Sequence, residues 1–326
     1  MQRKLLFTRM ASRSFSENMV GHLPATGPRL APSGEAAIQP PVAQALSGIV
    51  YSVQRPVNDF GQLPLSRVTT IRAASIAMLI DVALLPGQRF DPANCVCVVV
   101  DVLRASSSIV TLLDGGAAEV MAAADIAEAR RLHHLFPDSL LCGEKDAVPP
   151  PGFDYGNSPA EFARLEIAGR TVILATSNGT RILASFGDAA PVLLVGSLLN
   201  RNAVAEAAVR VAGERGLDIA LVCSAAYGGS TFTLEDALGA GAIVQAALTR
   251  EPALQPLDAA RFACDAFSVA QRDLRAAVGS AYHARELSEA GLGEDVEYCA
   301  RADVSNIAPA LNREDGRLVI RAIRRP

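Results

Sequence analysis

From about Ile76 onward, short apolar runs alternate with helical patterns, and this alternation limits the folds open to the chain. The runs are almost continuously hydrophobic, as expected of strands that helices cover on both faces. They are IAMLIDVALL, CVCVVVDVL, TVILA, PVLLVGS and LDIALVCS. Because parallel strands need long crossover connections, which are usually helical, we expect an α/β fold with three α/β/α layers and a mainly parallel or mixed sheet.

Helix start signals between these runs support the same fold. The segment SPAEFARL has Ser158 at the N-cap, Pro159 at the first helical position and Glu161 at the third. In ADIAEARRLHHLF, Asp125 and Glu128 have the spacing of a capping pair. After about residue 255 the pattern is helical only, which predicts a helical C-terminal part that covers the sheet or forms a second lobe.

The first 75 residues differ in composition from the rest. They contain eight basic and three acidic residues and are rich in Pro, Ser and Gly, without periodicity. This composition predicts a disordered segment, or an extension produced by a start codon assigned upstream of Met78. The opening MQRKLLFTRMASRSF also resembles a transit peptide. Residues 76–326 then form the α/β domain.

Charge and composition exclude several classes of protein. The net charge is −4 and no long basic run follows residue 80, which argues against a nucleic-acid surface. No apolar stretch approaches the ~20 residues of a membrane span. The six cysteines contain no CxxC pair, so we expect buried free thiols and a cytoplasmic protein. The sequence leaves open whether the protein forms a homo-oligomer.

Polar clusters follow the predicted strands. In a parallel sheet the carboxyl ends of strands share an edge, so most of these clusters should lie close together. Together they contain carboxylates, hydroxyls, helix starts and a few cations, the combination expected where an oxygen-ligated divalent metal and a phosphate share a site. The clusters are Asp101–Ser106, Cys142–Lys145, Gly152–Pro159, Ser177–Arg181, Gly196–Asn200 and Thr233–Asp236.

Four of these clusters also have a purely structural explanation. Asp101 could satisfy the N–H groups of a turn, and Arg104 could lie on the surface. Ser177–Gly179 could form an ordinary turn, because Asn-Gly favours positive φ. Glu144–Lys145 could be a solvated pair. Glu235–Asp236 could serve the first turn of a helix, where acidic residues are favoured.

Standard phosphate-binding motifs are absent. No cysteine is followed six positions later by an arginine, as the loop of cysteine phosphatases requires. Leu103 stands where an aspartyl-phosphatase motif beginning at Asp101 needs a second aspartate. There is no GxxxxGK, and no strand leads into a GxGxxG. A metal-assisted site of less familiar design remains.

Taken in order, DVLRA, GFDYGNSP, TSNGTR and LEDALGAG resemble the 2-phosphosulfolactate phosphatase family, the magnesium-dependent phosphatases of coenzyme M biosynthesis. The resemblance begins near IDVALLPG and covers roughly three quarters of the chain, from Met78 onward. Two departures concern the site. Lys145 stands where the family usually has arginine, and Ser177 where threonine is common.

The resemblance implies a Mg²⁺-dependent phosphatase that hydrolyses 2-phosphosulfolactate or a related small anionic phosphate ester. The implied catalytic residues are Asp101, Arg104, Glu144 and Lys145. The implied substrate-binding residues are Asn157, Ser177, Asn178, Gly179, Thr180, Arg181 and Ser197, and the implied magnesium ligands are Asp101, Glu235 and Asp236. The Ser177–Thr180 turn would offer N–H and hydroxyl donors to an anion.

Two questions stay open from the sequence. The nucleophile could be a water molecule bound to the metal or Asp101 itself, and Cys223 could act as an acid. The alternative function is a non-catalytic binder of phosphorylated or sulfonated metabolites. A related enzyme for a different phosphate ester lies between these two possibilities.

Overall fold

The computed structural model describes residues 77–323, apart from residues 89 and 187. The predicted extension, residues 1–75, lies outside the described residues and stays a prediction.

The described chain forms strands and helices in alternation up to residue 256. The strands are β1 (Leu79–Ala83), β2 (Cys95–Val100), β3 (Glu119–Ala123), β4 (Leu140–Gly143), β5 (Thr171–Ala175), β6 (Val192–Gly196), β7 (Asp218–Cys223), β8 (Gln255–Pro256), β9 (Ala308–Glu314) and β10 (Arg317–Ile323). The helices are α1 (Ala105–Asp114), α2 (Ile126–Leu135), α3 (Pro159–Phe162), α4 (Gly179–Ser185), α5 (Arg201–Arg215), α6 (Leu234–Arg250), α7 (Asp258–Ala270), α8 (Leu274–Gly279), α9 (Tyr282–Glu289) and α10 (Gly293–Cys299).

The predicted strands and helix starts are confirmed. All five apolar runs contain a strand: β1, β2, β5, β6 and β7. Asp125 accepts a hydrogen bond from the backbone N–H of Glu128 at 2.8 Å and so caps α2. Ser158 caps α3 by accepting from the N–H of Glu161 at 3.1 Å. Local sequence signals therefore determine these boundaries.

The described strands form one mixed sheet in the order β4-β5-β3-β10-β9-β6-β2-β7-β1-β8. Residues of β2 point alternately to its two faces. Val96 and Val98 share a core with α5, α6 and α7, whereas Cys97 and Val99 share a core with α1, α3 and α4. Helices thus cover both faces, and the α/β fold with three layers is confirmed.

The expectation that only helices follow residue 255 is wrong. Helices α7 to α10 do form the predicted helical part, but β9 and β10 follow them as an antiparallel hairpin. The turn of this hairpin is Asp315-Gly316, with φ values of 48° and 76°. Asp-Gly is a favoured pair for such a turn. The hairpin lies in the middle of the sheet, between β3 and β6.

The hairpin also changes how the strand ends meet. Three antiparallel pairings, β3 with β10, β10 with β9 and β9 with β6, separate β5 from β2. The parallel strands β3, β4 and β5 therefore run antiparallel to the other parallel set, which consists of β1, β2, β6, β7 and β8. The carboxyl ends of β5 and β2 nevertheless meet. A Cβ atom at Gly179, which follows β5, would lie 2.6 Å from Oδ2 of Asp101, which follows β2.

All six cysteines are free thiols, and five of them are buried. This confirms the expectation of unpaired cysteines. None of the described helices combines the length and the hydropathy that a membrane span needs.

Candidate active site

A cavity of about 480 Å³ lies where the carboxyl ends of β2, β4 and β5 meet the loop after β7 and helix α9. Most of the residues that line it have polar or charged side chains. The lining residues with such side chains are Asp101, Arg104, Glu144, Asp146, Asn157, Thr176, Ser177, Asn178, Arg181, Tyr227, His283 and Glu286. Seven of these residues were predicted from the sequence, namely Asp101, Arg104, Glu144, Asn157, Ser177, Asn178 and Arg181.

Asp101 directly follows β2 and is only 4% exposed. Its Oδ1 accepts a hydrogen bond from the backbone N–H of Ala105 at 3.0 Å, so it does serve the turn as the structural explanation proposed. Its side chain also lines the cavity. Burial raises the pKa of Asp101, while hydrogen bonds from Ser224 and Ala105 and the charge of His283 act in the opposite direction. Asp101 therefore has both a structural and a cavity-facing role.

Gly179 lies against this carboxylate. A Cβ atom at Gly179 would lie 2.5 Å from Ala105 Cβ and 2.6 Å from Asp101 Oδ2. The expected positive φ is wrong, because Gly179 is the first residue of α4 and is not in the left-handed region. Close approach of the β2 turn, rather than backbone conformation, is what requires glycine at this position.

Arg104 is fixed by an acidic residue from the C-terminal helical part. Its Nη1 donates to Asp295 Oδ2 at 2.8 Å, and the two side chains are 4% and 2% exposed. Asp295 Oδ1 accepts from the hydroxyl of Ser158 at 2.6 Å and from the N–H of Ala160 at 3.1 Å. A buried pair of this kind is costly to break. Asp295 therefore holds the turn after β2 against the start of α3.

Asn157 precedes that start and faces the cavity. Its side chain is buried, and its Oδ1 has no hydrogen-bond partner among the described residues. Buried polar atoms are nearly always paired in folded proteins. An unpaired oxygen in the wall of a cavity is explained most simply by a ligand or a water molecule that binds there.

The turn after β5 already holds an anion, and that anion is Glu144. Glu144 Oε1 accepts from the N–H of Ser177 at 2.7 Å, and Oε2 accepts from the Ser177 hydroxyl at 3.2 Å and from the N–H of Ala147 at 3.0 Å. The predicted donors of Ser177 are therefore occupied by a protein carboxylate. Glu144 itself lines the cavity.

Asn178 and Arg181 form the rim of the same turn. Asn178 Oδ1 accepts from the N–H of Gly228 at 3.0 Å and so ties α4 to the loop after β7. Arg181 is exposed and lines the cavity, and within the described part of the chain it has no ion pair or hydrogen bond through its side chain. It is a cation that is available to an anionic ligand.

The predicted magnesium ligands on α6, Glu235 and Asp236, differ in their hydrogen bonds. Glu235 is buried, and its Oε2 has no hydrogen-bond partner among the described residues. Asp236 accepts from the N–H of Val102 at 2.8 Å through Oδ1 and from the N–H of Ala225 at 3.1 Å through Oδ2. Asp236 thus joins the turns after β2 and β7. Thr233, the residue before α6, forms no capping hydrogen bond through its side chain.

Electrostatics favour a cation near Asp101 and Glu235. Burial is the largest cause that raises the pKa of each of the three carboxyls, and their mutual repulsion raises the pKa of Glu235 and Asp236 further. A cation would relieve this repulsion. Mg²⁺ needs only one or two protein carboxylates and keeps several waters. Asp101 with its cavity-facing carboxylate and Glu235 with its unpaired oxygen suit such an ion.

A complete protein cage for the metal is not formed. Within residues 77–323, leaving aside the two undescribed positions, no group of three or more His, Cys, Asp or Glu side chains is arranged to hold a metal ion. The three-carboxylate magnesium site therefore stays a prediction.

Six predicted side chains do not line the cavity, namely Lys145, Thr180, Ser197, Cys223 and the two acids of α6, Glu235 and Asp236. Lys145 is exposed, since the backbone pairing of Lys145 with Val148 forms a tight turn whose neighbouring residues face the cavity instead. Thr180 is fully buried and bonds to the backbone N–H of Thr176 at 2.9 Å.

Ser197 is fully buried and forms a capping box with Asn200. Its hydroxyl accepts from the N–H of Leu199 at 3.2 Å. Cys223 is buried in the core between the sheet and α6, where burial raises the pKa of its thiol well above the ordinary value. Neither residue reaches the cavity. The structure therefore does not support a ligand contact by Ser197 or an acid role for Cys223.

The sequence interpretation missed the contribution of the C-terminal helices. His283 and Glu286 on α9 line the cavity, as does Tyr227 from the loop after β7, and Asp295 on α10 fixes Arg104. No sequence motif distinguishes these residues. The helices that carry His283, Glu286 and Asp295 have the sequence pattern of ordinary surface helices. A mixture of one histidine and several acids on α9 is the only local signal.

Comparisons with known proteins identify the family of the chain. A family model described as "2-phosphosulpholactate phosphatase" matches residues 83–314. A "Probable 2-phosphosulfolactate phosphatase" of Carboxydothermus hydrogenoformans is 34% identical over 248 residues, which are 76% of this chain and 99% of that protein. Proteins of the same printed name from Deinococcus radiodurans and Pseudothermotoga lettingae are 36% and 37% identical, cover 72% and 71% of this chain, and are matched over 93% and 95% of their own lengths. The chain therefore belongs to the 2-phosphosulfolactate phosphatase family.

Proposed function

We propose that the protein hydrolyses 2-phosphosulfolactate to sulfolactate and phosphate, with Mg²⁺ as cofactor. The observation that carries this proposal is the cavity itself, which joins the buried Asp101 carboxylate, the unpaired Oδ1 of Asn157 and the unpaired cation of Arg181. The printed names of the relatives supply the substrate. Coenzyme M biosynthesis, a cytoplasmic location and a homo-oligomer remain parts of this proposal that rest on the resemblance and composition alone.

Asp101 and Glu235 are the proposed metal ligands. Asp236 would support them, because its hydrogen bonds to Val102 and Ala225 hold the two turns that carry the site. When bound, Mg²⁺ would offset negative charge on the phosphoryl oxygens.

The remaining polar groups would bind and orient the ester. Arg104, which Asp295 holds in place, and Arg181 at the rim would contact the phosphate, carboxylate or sulfonate groups, since guanidinium suits such anions. The free oxygen of Asn157 would accept a hydrogen bond from a water molecule bound beside the ester, because the ionised ester groups are acceptors themselves. The Glu144 carboxylate would keep the turn after β5 in shape through Ser177 and Ala147.

Replacing Arg181 by alanine should raise KM for the ester about ten- to hundredfold with little change in stability, because one charge-assisted contact of about 1.5–3 kcal/mol is lost. Steady-state kinetics and a melting curve measure both effects. Arg261→Ala, which removes an exposed arginine from α7, is the matched control and should leave KM unchanged. An unchanged KM in Arg181→Ala would remove this residue from the binding site.

The substrate is tested with a small panel of phosphate esters. We expect the highest kcat/KM for 2-phosphosulfolactate, lower values for 2-phospholactate, which lacks the sulfonate, and lower values again for simple alkyl phosphates. A preference for another ester would retain the phosphatase but replace the substrate. Thermal stabilisation by the esters without phosphate release would favour the non-catalytic binder.

A further inference from the structure

The proposed reaction requires a proton for its leaving group. When the bond between phosphorus and the ester oxygen breaks, the oxygen at C2 leaves as an alkoxide, which is a strong base. Transfer of a proton to that oxygen in the transition state is the usual remedy and contributes about 10²–10⁴ in rate. The cavity-lining residues predicted from the sequence leave this role unfilled. The arginines, amides and hydroxyl are poor acids near neutral pH, Glu144 is hydrogen-bonded to Ser177 and Ala147, and Asp101 is assigned to the metal.

His283 is the one histidine in the described chain that lines the cavity. It lies on α9, and its side chain is 29% exposed. The other two described histidines are on α2, where His133 bonds to Ser139 and His134 bonds to the carbonyl of Arg130. Imidazole is the side chain whose ordinary pKa suits proton transfer near neutral pH.

Contacts on α9 fix the orientation of the imidazole. His283 Nδ1 lies 3.3 Å from Glu286 Oε2, and an ionised carboxylate can only accept, so Nδ1 carries a hydrogen. The other oxygen of Glu286 accepts from the hydroxyl of Tyr227 at 2.8 Å. Glu286 is thereby held between the loop after β7 and the histidine. Nε2 is the nitrogen of His283 that remains for a ligand.

His283 is also close to the reacting end of the cavity. Although burial dominates the raised pKa values of Asp101 and Glu235, the charge of His283 lowers both of them. The imidazole therefore lies within electrostatic reach of the two carboxylates proposed to hold the metal. His283 and Asp101 also line the same cavity, so a phosphate ester bound in it lies within reach of both side chains.

We propose that His283 is the general acid of this phosphatase and that Glu286 positions it. Water forms a bond to phosphorus, the bond between phosphorus and the C2 oxygen breaks, and Nε2–H gives its proton to that oxygen. The products are sulfolactate and phosphate, and the attacking water's proton returns the histidine to its starting state through solvent. This role rests on the proposed function.

The test compares two esters of almost the same shape but different leaving groups. In 2-phospholactate the leaving alkoxide is strongly basic, whereas in its 3,3,3-trifluoro analogue the fluorines make it far less basic. His283→Ala should cut kcat on 2-phospholactate by about 10²–10⁴, and the loss on the trifluoro analogue should be at least about tenfold smaller. Glu286→Gln should show the same inequality with smaller losses, as expected of a positioning residue.

His134→Ala, on the exposed face of α2, is the matched control and should match the parent on both esters. Melting curves check that His283→Ala stays folded. Equal losses on the two esters, or no loss at all, would overturn the general-acid role of His283. The proposed function would still stand in that case, because the parent protein remains active. A parent protein that releases phosphate from neither ester nor from 2-phosphosulfolactate would instead overturn the proposed function and this inference with it.

Discussion

Asp101→Asn should lower the rate of phosphate release at least about a hundredfold while the protein remains folded, as expected when a key electrostatic group is lost. Asparagine keeps an oxygen that can accept from the Ala105 N–H, so the turn after β2 retains its hydrogen bond. What it removes is the negative charge at the cavity wall, which the proposed metal site requires. The substitution therefore separates the two roles that the structure gives to this residue.

The measurement is kcat at saturating ester and Mg²⁺, together with a melting temperature. Asp265→Asn is the matched control, because Asp265 lies exposed on α7, away from the cavity, and its replacement should leave both quantities unchanged. Activity of Asp101→Asn within a few-fold of the parent would mean that Asp101 serves the turn only.

Gly179→Val should reduce kcat/KM by about two orders of magnitude, because misplacement of a reacting group by about 1 Å can cost that much. The first carbon of the new side chain would overlap Ala105 Cβ and Asp101 Oδ2, at 2.5 and 2.6 Å. Either α4 or the Asp101 carboxylate must then move. Gly179→Ala introduces the same Cβ, so we expect it to share most of this loss.

A second helical glycine provides the control for this prediction. Gly213 lies in α5, and a Cβ built there meets no atom within 4 Å. Gly213→Ala should leave kcat/KM unchanged and stabilise the protein by about 0.5–1 kcal/mol, the usual gain from replacing glycine inside a helix. Normal kinetics in both Gly179 variants would show that the contact between α4 and Asp101 has no part in the site.

The strands that could be predicted are those whose burial is evident from the hydrophobicity of their own residues. In β2 and β5, helices cover both faces, so the runs CVCVVV and TVILA are apolar throughout. The hairpin of β9 and β10 is different, since Asn312 and Arg313 interrupt its apolar pattern. Its Asp315-Gly316 turn could have been recognised from the sequence. Its place in the middle of the sheet depends on long-range pairing that no local pattern encodes.

The site shows the same division between local and long-range information. Asp101 could be predicted because an acid directly after a buried strand is unusual. Thr180 and Ser197 follow strands as well, but they cap their own turns, and residue type alone does not distinguish a capping hydroxyl from a ligand contact. His283 lines the cavity because α9 borders it, and Asp295 holds Arg104 because α10 packs against α3; neither placement is encoded locally.

Phosphate release from 2-phosphosulfolactate by the full-length protein, measured with and without Mg²⁺, decides whether the proposed reaction occurs. We expect one phosphate and one sulfolactate for each ester consumed, loss of the reaction when a chelator removes the metal, and recovery when Mg²⁺ is returned. No phosphate release under any of these conditions, by a protein that the ester nevertheless stabilises against heat, would contradict the proposed function and leave a binding protein built on a phosphatase fold.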